Sequence, residues 1–210
     1  MSDSEPIVSV VDDEKSVRTS LRRLLKSAGW NVETYSSAQE FLARGAADRP
    51  GCLVLDVSMP GLSGLELQEQ MQAAGVTVPI VFITGHGDIP MSVKAMKAGA
   101  VDFLTKPFDA DDLLRAIHQA VERDIAARRE RAEIEAIRQR IESLTPRERE
   151  VFVLVVSGNL NKQIAAQLGT CEKTVKVHRA RVMRKMEAES LAELVQLAQR
   201  VGTANPPILD

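Results

Sequence analysis

The sequence has few cysteines, no long apolar run and almost no net charge. Its two cysteines, Cys52 and Cys171, lie far apart and outside any spacing typical of metal ligands, which predicts two reduced thiols in a cytosolic protein. No run approaches the roughly 20 apolar residues that a membrane-spanning helix needs. The acidic start of the chain also lacks the apolar core of a signal peptide. We therefore expect a cytoplasmic protein with no membrane partner.

The net charge of −2 is unevenly distributed along the chain. Residues 1–124 carry 12 Lys and Arg against 18 Asp and Glu, whereas residues 144–210 carry 10 against 7. The stretch between them is nearly balanced, with 5 against 4. An acidic N-terminal part and a mildly basic C-terminal part indicate two domains with different partners. The basic excess alone does not establish nucleic-acid binding.

Residues 7–124 alternate between short apolar runs and helical patterns. Strands separated by helices are typical of a parallel sheet that is covered on both faces. We predict an α/β doubly wound domain whose five parallel strands have the order 2-1-3-4-5. The predicted strands are residues 7–11, 31–35, 52–56, 79–84 and 101–104, and the predicted helices are residues 15–28, 38–44, 64–74, 91–98 and 110–123.

From residue 111 to about residue 144 the chain has no Pro or Gly and is rich in Ala, Glu and Arg. This composition predicts one long helix or two helices in succession. Within it, Ile134, Ile137, Ile141 and Leu144 repeat at spacings of three and four residues. The stripe either packs on the C-terminal domain or forms a short dimer seam.

The pattern after residue 144 is helical throughout. Thr145, Pro146 and Glu148 predict a helix start, with Thr145 as the N-cap and Glu148 as its partner in a capping box. Further helices are predicted over residues 161–168, 172–186 and 191–201, after a first one over 148–157. We therefore predict a first domain over residues 1–124, a helical linker over 125–143 and a small all-α domain over 144–210.

Three carboxylates are predicted to meet at one edge of the sheet. Asp12 and Asp13 follow the first strand, and Asp56 ends the third. In a parallel sheet, the C-terminal ends of neighbouring strands meet at the crevice where ligands bind. Because three carboxylates would repel one another, we expect a divalent cation between them. The sequence therefore predicts a metal site around Asp56, a candidate nucleophile.

Residues 7–124 resemble the receiver domain of response regulators. The resemblance is carried by four features, each placed at the end of a predicted strand. They are Asp12 and Asp13, Asp56 within LVLDVSMPGLSG, Thr84 after the fourth strand, and Lys106-Pro107 after the fifth.

The resemblance implies a role for each polar residue. Asp56 would accept a phosphoryl group from a sensor histidine kinase and hold it as an acyl phosphate. Asp13, Asp56 and the backbone carbonyl of Ser58 would bind Mg²⁺, which prefers oxygen ligands, while Asp12 would help, often through water. Lys106 would bind a phosphate oxygen, and it would pair with Asp56 when no phosphoryl group is present.

Thr84 and Phe103 correspond to the pair that reports phosphorylation in receiver domains. The hydroxyl of Thr84 would move to a phosphate oxygen, and the ring of Phe103 would fill the vacated space. Alternatively, Thr84 caps the strand end and Phe103 belongs to the apolar core. Phe103 lacks the hydroxyl that many receivers have at this position, so a tyrosine-type hydrogen bond is excluded.

Residues 144–201 resemble the helix-turn-helix domain of the LuxR class, through the motif NKQIAAQLGTCEKTVKVHRARVMRKM. In the predicted recognition helix, Val175, Val182 and Met186 face one side, and a cationic face with small apolar gaps lies opposite. Such a face suits a helix in the major groove, although a solvated basic helix in a protein-binding domain remains an alternative. The predicted DNA-binding residues are Lys173, Thr174, Lys176, Val177, Ala180, Arg181 and Arg184.

Together the two resemblances identify the chain as a member of the NarL/FixJ type of response regulators. We expect phosphorylation to promote homodimerisation and binding to double-stranded promoter DNA, with RNA polymerase as a further partner and no enzymatic turnover. Two other classes stay open at this point. An Mg²⁺-dependent phosphatase normally has a second carboxylate two residues after the nucleophile, where Ser58 stands. A phosphorylation-dependent interaction module would lack the steep salt dependence of DNA binding.

Overall fold

A computed structural model of the chain describes residues 5–45, 49–85 and 89–202. The first four residues, part of the segment that we predict not to be a signal peptide, lie outside these ranges. The chain forms two compact units, which divide between Arg128 and Arg129. Among the described helices, none is both long and apolar enough to cross a lipid bilayer.

A five-stranded parallel sheet with the predicted order β2-β1-β3-β4-β5 forms the centre of the first unit. Helices alternate with the strands along the chain. The elements are β1 (Ile7–Val11), α1 (Lys15–Ser27), β2 (Asn31–Tyr35), α2 (Ala38–Arg44), β3 (Gly51–Asp56), α3 (Gly64–Ala73), β4 (Ile80–Thr84), α4 (Ile89–Lys97), β5 (Asp102–Thr105) and α5 (Ala110–Glu142).

The sheet separates two apolar cores because its inner strands are apolar on both faces. Every residue of β3 and β4 is buried. Successive side chains of a strand point to opposite faces. Leu55 and Phe82 accordingly belong to one core, whereas Val54 and Ile83 belong to the other. Continuous apolar burial of this kind is typical of central parallel strands, so the polar residues at the strand ends stand out.

Several element boundaries differ from the prediction by one or two residues, and two of these differences have a clear physical reason. β5 begins at Asp102 rather than at residue 101, because Asp102 is the first residue in register with β4, opposite Val81. α4 begins at Ile89 rather than at residue 91 and includes Pro90 in its first turn, where a proline costs no helical hydrogen bond. The predicted long helix is confirmed, since α5 is continuous from Ala110 to Glu142.

The second unit is helical, as predicted. Its helices after α5 are α6 (Pro146–Val156), α7 (Asn161–Gln167), α8 (Glu172–Lys185) and α9 (Leu191–Arg200). The predicted capping box is present at the start of α6. Ile137 and Leu144 are buried in the core of this unit and Ile141 packs against it, which confirms that these three residues of the stripe pack on the C-terminal domain.

Candidate metal centre and nucleic-acid interface

Asp12, Asp13 and Asp56 lie together at the carboxyl edge of the sheet. One oxygen of each carboxylate lies within 4.8 Å of an oxygen of each of the others. Asp12 and Asp56 are buried, whereas Asp13 is exposed. The three residues meet because β1 and β3 are adjacent and parallel, and both end at this edge. The predicted convergence of three carboxylates is therefore confirmed.

Lys106 brings an ammonium group into the cluster. Its Nζ donates a hydrogen bond to Oδ2 of Asp12 at 2.8 Å and lies 3.5 Å from Oδ1 of Asp56. The sequence predicted Asp56 as the partner of Lys106, but Asp12 is closer. Both oxygens of Asp12 accept hydrogen bonds, since Oδ1 takes one from the backbone N–H of Glu14 at 2.8 Å. The Lys106–Pro107 peptide bond is cis.

The charges of the cluster are unbalanced. Burial raises the pKa of Asp56 to about 6, the Lys106 ammonium opposes this rise, and the carboxylates of Asp12 and Asp13 add to it. Burial alone would lower the pKa of Lys106, but its hydrogen bond to Asp12 and the nearby carboxylate charges raise it, so Lys106 is protonated. One ammonium thus faces three carboxylates.

The residues of the cluster fit a divalent cation. Oδ1 of Asp56 is buried and has no hydrogen-bond partner among the described residues. A buried oxygen without a partner is costly unless something else satisfies it. A hard divalent cation supplies both a ligand bond for such an oxygen and the missing positive charge. Ser58 is exposed in the loop that follows Asp56.

Gly64 allows the backbone to pass close to Asp56. A Cβ atom at this position would lie 2.3 Å from the backbone oxygen of Asp56, a distance that real Cβ atoms do not show. The N–H of Gly64 also donates to the carbonyl of Val57 at 3.0 Å. The sequence indicated Gly64 as a helix start and as the last residue of the motif around Asp56, but the local pattern does not reveal its close approach to the Asp56 backbone.

Thr84 and Phe103 lie on neighbouring strands. Thr84 is fully buried at the end of β4, and its carbonyl accepts a hydrogen bond from the N–H of Lys106 at 2.7 Å. Phe103 is partly buried, and its ring centroid lies 6.2 Å from that of Phe82. Phe82 and Phe103 are partners in the sheet, and Thr84 is two residues beyond Phe82. Thr84 and Phe103 therefore share one face of the sheet.

Helix α8 has one buried side and one exposed cationic side. Val175, Val182 and Met186 are fully buried, as the helical wheel predicted. Thr174 differs from the other predicted DNA-binding residues because it is only half-exposed, and its Oγ1 lies 3.2 Å from Sγ of Cys171. The exposed predicted residues are Lys173, Lys176, Val177, Ala180, Arg181 and Arg184.

Known proteins match both units. Residues 8–118 match the response regulator receiver domain, and residues 142–198 match the luxR family of bacterial regulatory proteins. Nodulation protein W of Bradyrhizobium diazoefficiens is 48% identical over 199 residues, which cover 95% of this chain and 88% of that protein. FixJ of the same species, a transcriptional regulatory protein, is 46% identical over 198 residues, with 94% and 97% covered. The solved structure of the response regulator StyR has 51% identity and a TM-score of 0.86, and the match covers 94% of this chain and 100% of that one.

These matches settle the class of the protein. Regulators of this family are not turnover enzymes, so the phosphatase alternative is wrong. A receiver joined to a LuxR-type domain implies a kinase and DNA as partners, which excludes a module without DNA binding. The chain belongs to the response-regulator family: it is a DNA-binding transcription regulator with an N-terminal receiver domain and a C-terminal LuxR-type helix-turn-helix domain.

Proposed function

We propose that Asp56 accepts a phosphoryl group from a sensor histidine kinase in an Mg²⁺-dependent reaction. The observation that carries this proposal is the buried Oδ1 of Asp56, which has no hydrogen-bond partner among the described residues and lies 3.5 Å from the Lys106 ammonium. A carboxylate oxygen that accepts no hydrogen bond and lies beside a fixed positive charge suits nucleophilic attack on a phosphoryl group. We assign the receiver role to residues 1–124, the linker to 125–143 and the DNA-binding domain to 144–210.

The phosphoryl transfer depends on position and charge. An oxygen of Asp56 attacks the phosphorus of a phosphohistidine, the P–N bond breaks, and the imidazole leaves with the electron pair. Such transfers need little covalent chemistry from the protein, but they need neutralisation of the phosphoryl oxygens. Lys106 supplies one positive charge from the protein itself. It is held in place by Asp12, which accepts its hydrogen bond at 2.8 Å.

Asp13 and Asp56 are the direct carboxylate ligands for Mg²⁺ in this proposal, with the backbone carbonyl of Ser58 as a third protein ligand. Asp12 acts less directly, because Glu14 and Lys106 already occupy both of its oxygens. Bound Mg²⁺ supplies charge neutralisation at the phosphoryl oxygens. Mg²⁺ also retains several waters, which suits a site where one ligand is an exposed carboxylate.

The response to phosphorylation runs through Thr84 and Phe103. The Thr84 hydroxyl moves to a phosphoryl oxygen, and the Phe103 ring follows on the same face of the sheet. Helix α4 lies directly before β5, and its side chains Ile89, Val93 and Met96 are 80%, 44% and 44% exposed. Their spacing of four and three residues forms an apolar stripe. We propose that phosphorylation changes the shape of the surface around this exposed stripe, so that a second copy of the chain binds to it.

Dimerisation then brings two copies of α8 to DNA. Each helix lies in a major groove, and two half-sites about 10 base pairs apart receive the pair. Lys176, Val177 and Ala180 face the bases, and the predicted cationic residues around them meet phosphates. RNA polymerase is the further partner of the promoter-bound dimer. Because the DNA partner is chromosomal, we place the protein in the cytoplasm.

Labelling with acetyl phosphate tests the phosphoacceptor. Wild-type protein incubated with acetyl phosphate and Mg²⁺ should gain one phosphoryl group, seen as a mass increase in intact-protein mass spectrometry. The Asp56→Asn variant should gain none, because its amide is a poor nucleophile. Asp124→Asn is a matched control, since it changes another buried aspartate of the same unit. Retained labelling in Asp56→Asn contradicts the proposal.

A further inference from the structure

Arg18 of α1 holds the backbone of the two acidic residues that follow β1. Its Nη1 donates hydrogen bonds to the backbone oxygens of Asp12 at 2.7 Å and of Asp13 at 2.9 Å. We infer that Arg18 is a positioning residue for the cation site: it fixes the backbone of Asp13 so that the Asp13 carboxylate meets Mg²⁺. This inference rests on the proposed function, in which Asp13 is a ligand.

Asp12 and Asp13 differ in how their carboxylates are held. The carboxylate of Asp12 accepts hydrogen bonds from Glu14 and Lys106, and its backbone N–H donates to Tyr35 at 3.3 Å. By contrast, the carboxylate of Asp13 has no hydrogen bond or salt bridge in the described part of the chain. The position of the Asp13 carboxylate is therefore set through its backbone, which is where Arg18 binds.

The chemistry of the guanidinium suits this task. It remains charged at every pH at which the protein is folded, and it presents several donors in a rigid plane. The side chain of Arg18 is half-buried, so its contact with the loop is partly shielded from water. Its hydrogen bonds go to backbone oxygens and not to a carboxylate, so Arg18 adds positive charge beside the acidic loop without occupying a ligand position.

Loss of Arg18 should weaken cation binding without removing the phosphoacceptor. Residues that orient metal ligands from behind typically change metal affinity by about 10- to 100-fold when they are replaced. We expect Arg18→Gln to weaken Mg²⁺ binding about tenfold, at the low end of that range, because Asp13 itself is retained. Labelling of Asp56 at saturating Mg²⁺ should stay near the wild-type level. Arg18→Lys keeps the charge and some donors, so it should restore part of the affinity.

The test is isothermal titration of Mg²⁺ into the full chain, combined with acetyl phosphate labelling at increasing Mg²⁺. Arg22→Gln is the matched control: Arg22 lies one turn further along α1, is exposed, and donates to Thr34 Oγ1 at 2.9 Å, away from the acidic loop. Three results together support the positioning role. Arg18→Gln binds Mg²⁺ about tenfold more weakly, Arg22→Gln keeps the wild-type affinity, and Arg18→Lys recovers part of the lost affinity.

Two results would overturn it. The first is that Arg18→Gln binds Mg²⁺ as tightly as the wild-type protein. The second is that Arg22→Gln loses as much Mg²⁺ affinity as Arg18→Gln, because the loss would then come from the change in net charge and not from the position of Arg18. If circular dichroism shows that Arg18→Gln does not fold, the Arg18→Lys variant serves as the test instead. Arg18→Lys that binds Mg²⁺ with wild-type affinity and is labelled at the wild-type level would then contradict the inference. Failure of the proposed function has a different signature, because Mg²⁺ binding would then survive unchanged in Asp13→Asn.

Discussion

The ion pair between Glu148 and Lys185 anchors the end of the recognition helix, and its removal should destabilise the DNA-binding domain. Oε2 of Glu148 accepts hydrogen bonds from Nζ of Lys185 at 2.7 Å and from the N–H of Thr145 at 3.0 Å. Lys185 is the last residue of α8, and its ammonium also donates to the carbonyl of Ser143 at 2.8 Å. These contacts fix the C-terminal end of α8 against the start of α6.

The size of the effect follows from the pKa of Glu148. Hydrogen bonds from Lys185 and from the backbone of Thr145 lower that pKa from 4.5 to about 2. A shift of this size corresponds to at most roughly 3 kcal/mol of folding free energy. The side chain of Lys185 is 30% exposed, so solvent screening reduces the contribution to about 1–2 kcal/mol. Because the folded-state pKa is below the unfolded one, this stability is present above about pH 4.5 and is lost as the pH falls towards 2.

Urea unfolding of the full chain measures this contribution. At pH 7, Glu148→Gln should lower the free energy of unfolding of the C-terminal unit by about 1–2 kcal/mol, followed by far-ultraviolet circular dichroism. Lys185→Met should cost more, about 3 kcal/mol, because it leaves a buried carboxylate unpaired. Trp30, the single tryptophan, lies in the receiver and serves as the internal control, since its fluorescence transition should not move. Either of two results would refute the reasoning. One is a variant that is as stable as the wild-type protein at pH 7. The other is a loss of unfolding free energy in Glu148→Gln that stays constant from pH 7 to pH 3.

Three further changes test separate contacts. Asp124 is buried, and its Oδ2 accepts a hydrogen bond from the N–H of Gly51 at 3.0 Å. Asp124→Ala should therefore lower the free energy of unfolding of the receiver by about 2–3 kcal/mol, measured by urea unfolding with tryptophan fluorescence. Gly64→Ala should slow acetyl phosphate labelling several-fold, because the new methyl group would displace the backbone of Asp56; unchanged kinetics would contradict this contact. Lys176→Ala should weaken binding to promoter DNA by about 1–3 kcal/mol, because Lys176 faces the bases, and an equal loss on unrelated duplex DNA would contradict this assignment.

The sequence predicts the fold well because its strongest signals are local. The sequence contains apolar runs of the length of β3 and β4, and amphipathic helices separate them. This alternation allows only a few strand orders for a parallel sheet. The same rule brings Asp12, Asp13 and Asp56 to one edge, because the ends of parallel strands meet there. Both predictions depend on the chain pattern and on general geometry, and both are confirmed by the structure.

Contacts between distant residues could not be predicted in this way. The closer partner of Lys106 is Asp12, and this depends on how β5 lies relative to β1 and not on any sequence period. The close approach of Gly64 to the Asp56 backbone and the hydrogen bonds of Arg18 to the acidic loop likewise arise from packing between elements. Glu148 was predicted as a capping residue, but its pairing with Lys185, far along the chain, was not.

The central claim is that phosphorylation of Asp56 converts the chain into a dimer that binds promoter DNA. The most direct test is analytical ultracentrifugation of the full chain with a fluorescent promoter duplex, with and without acetyl phosphate and Mg²⁺. The account predicts that phosphorylated wild-type protein sediments as a dimer on DNA at concentrations where the unmodified protein and Asp56→Asn remain free monomers. Equal DNA occupancy and equal mass for all three samples would contradict it.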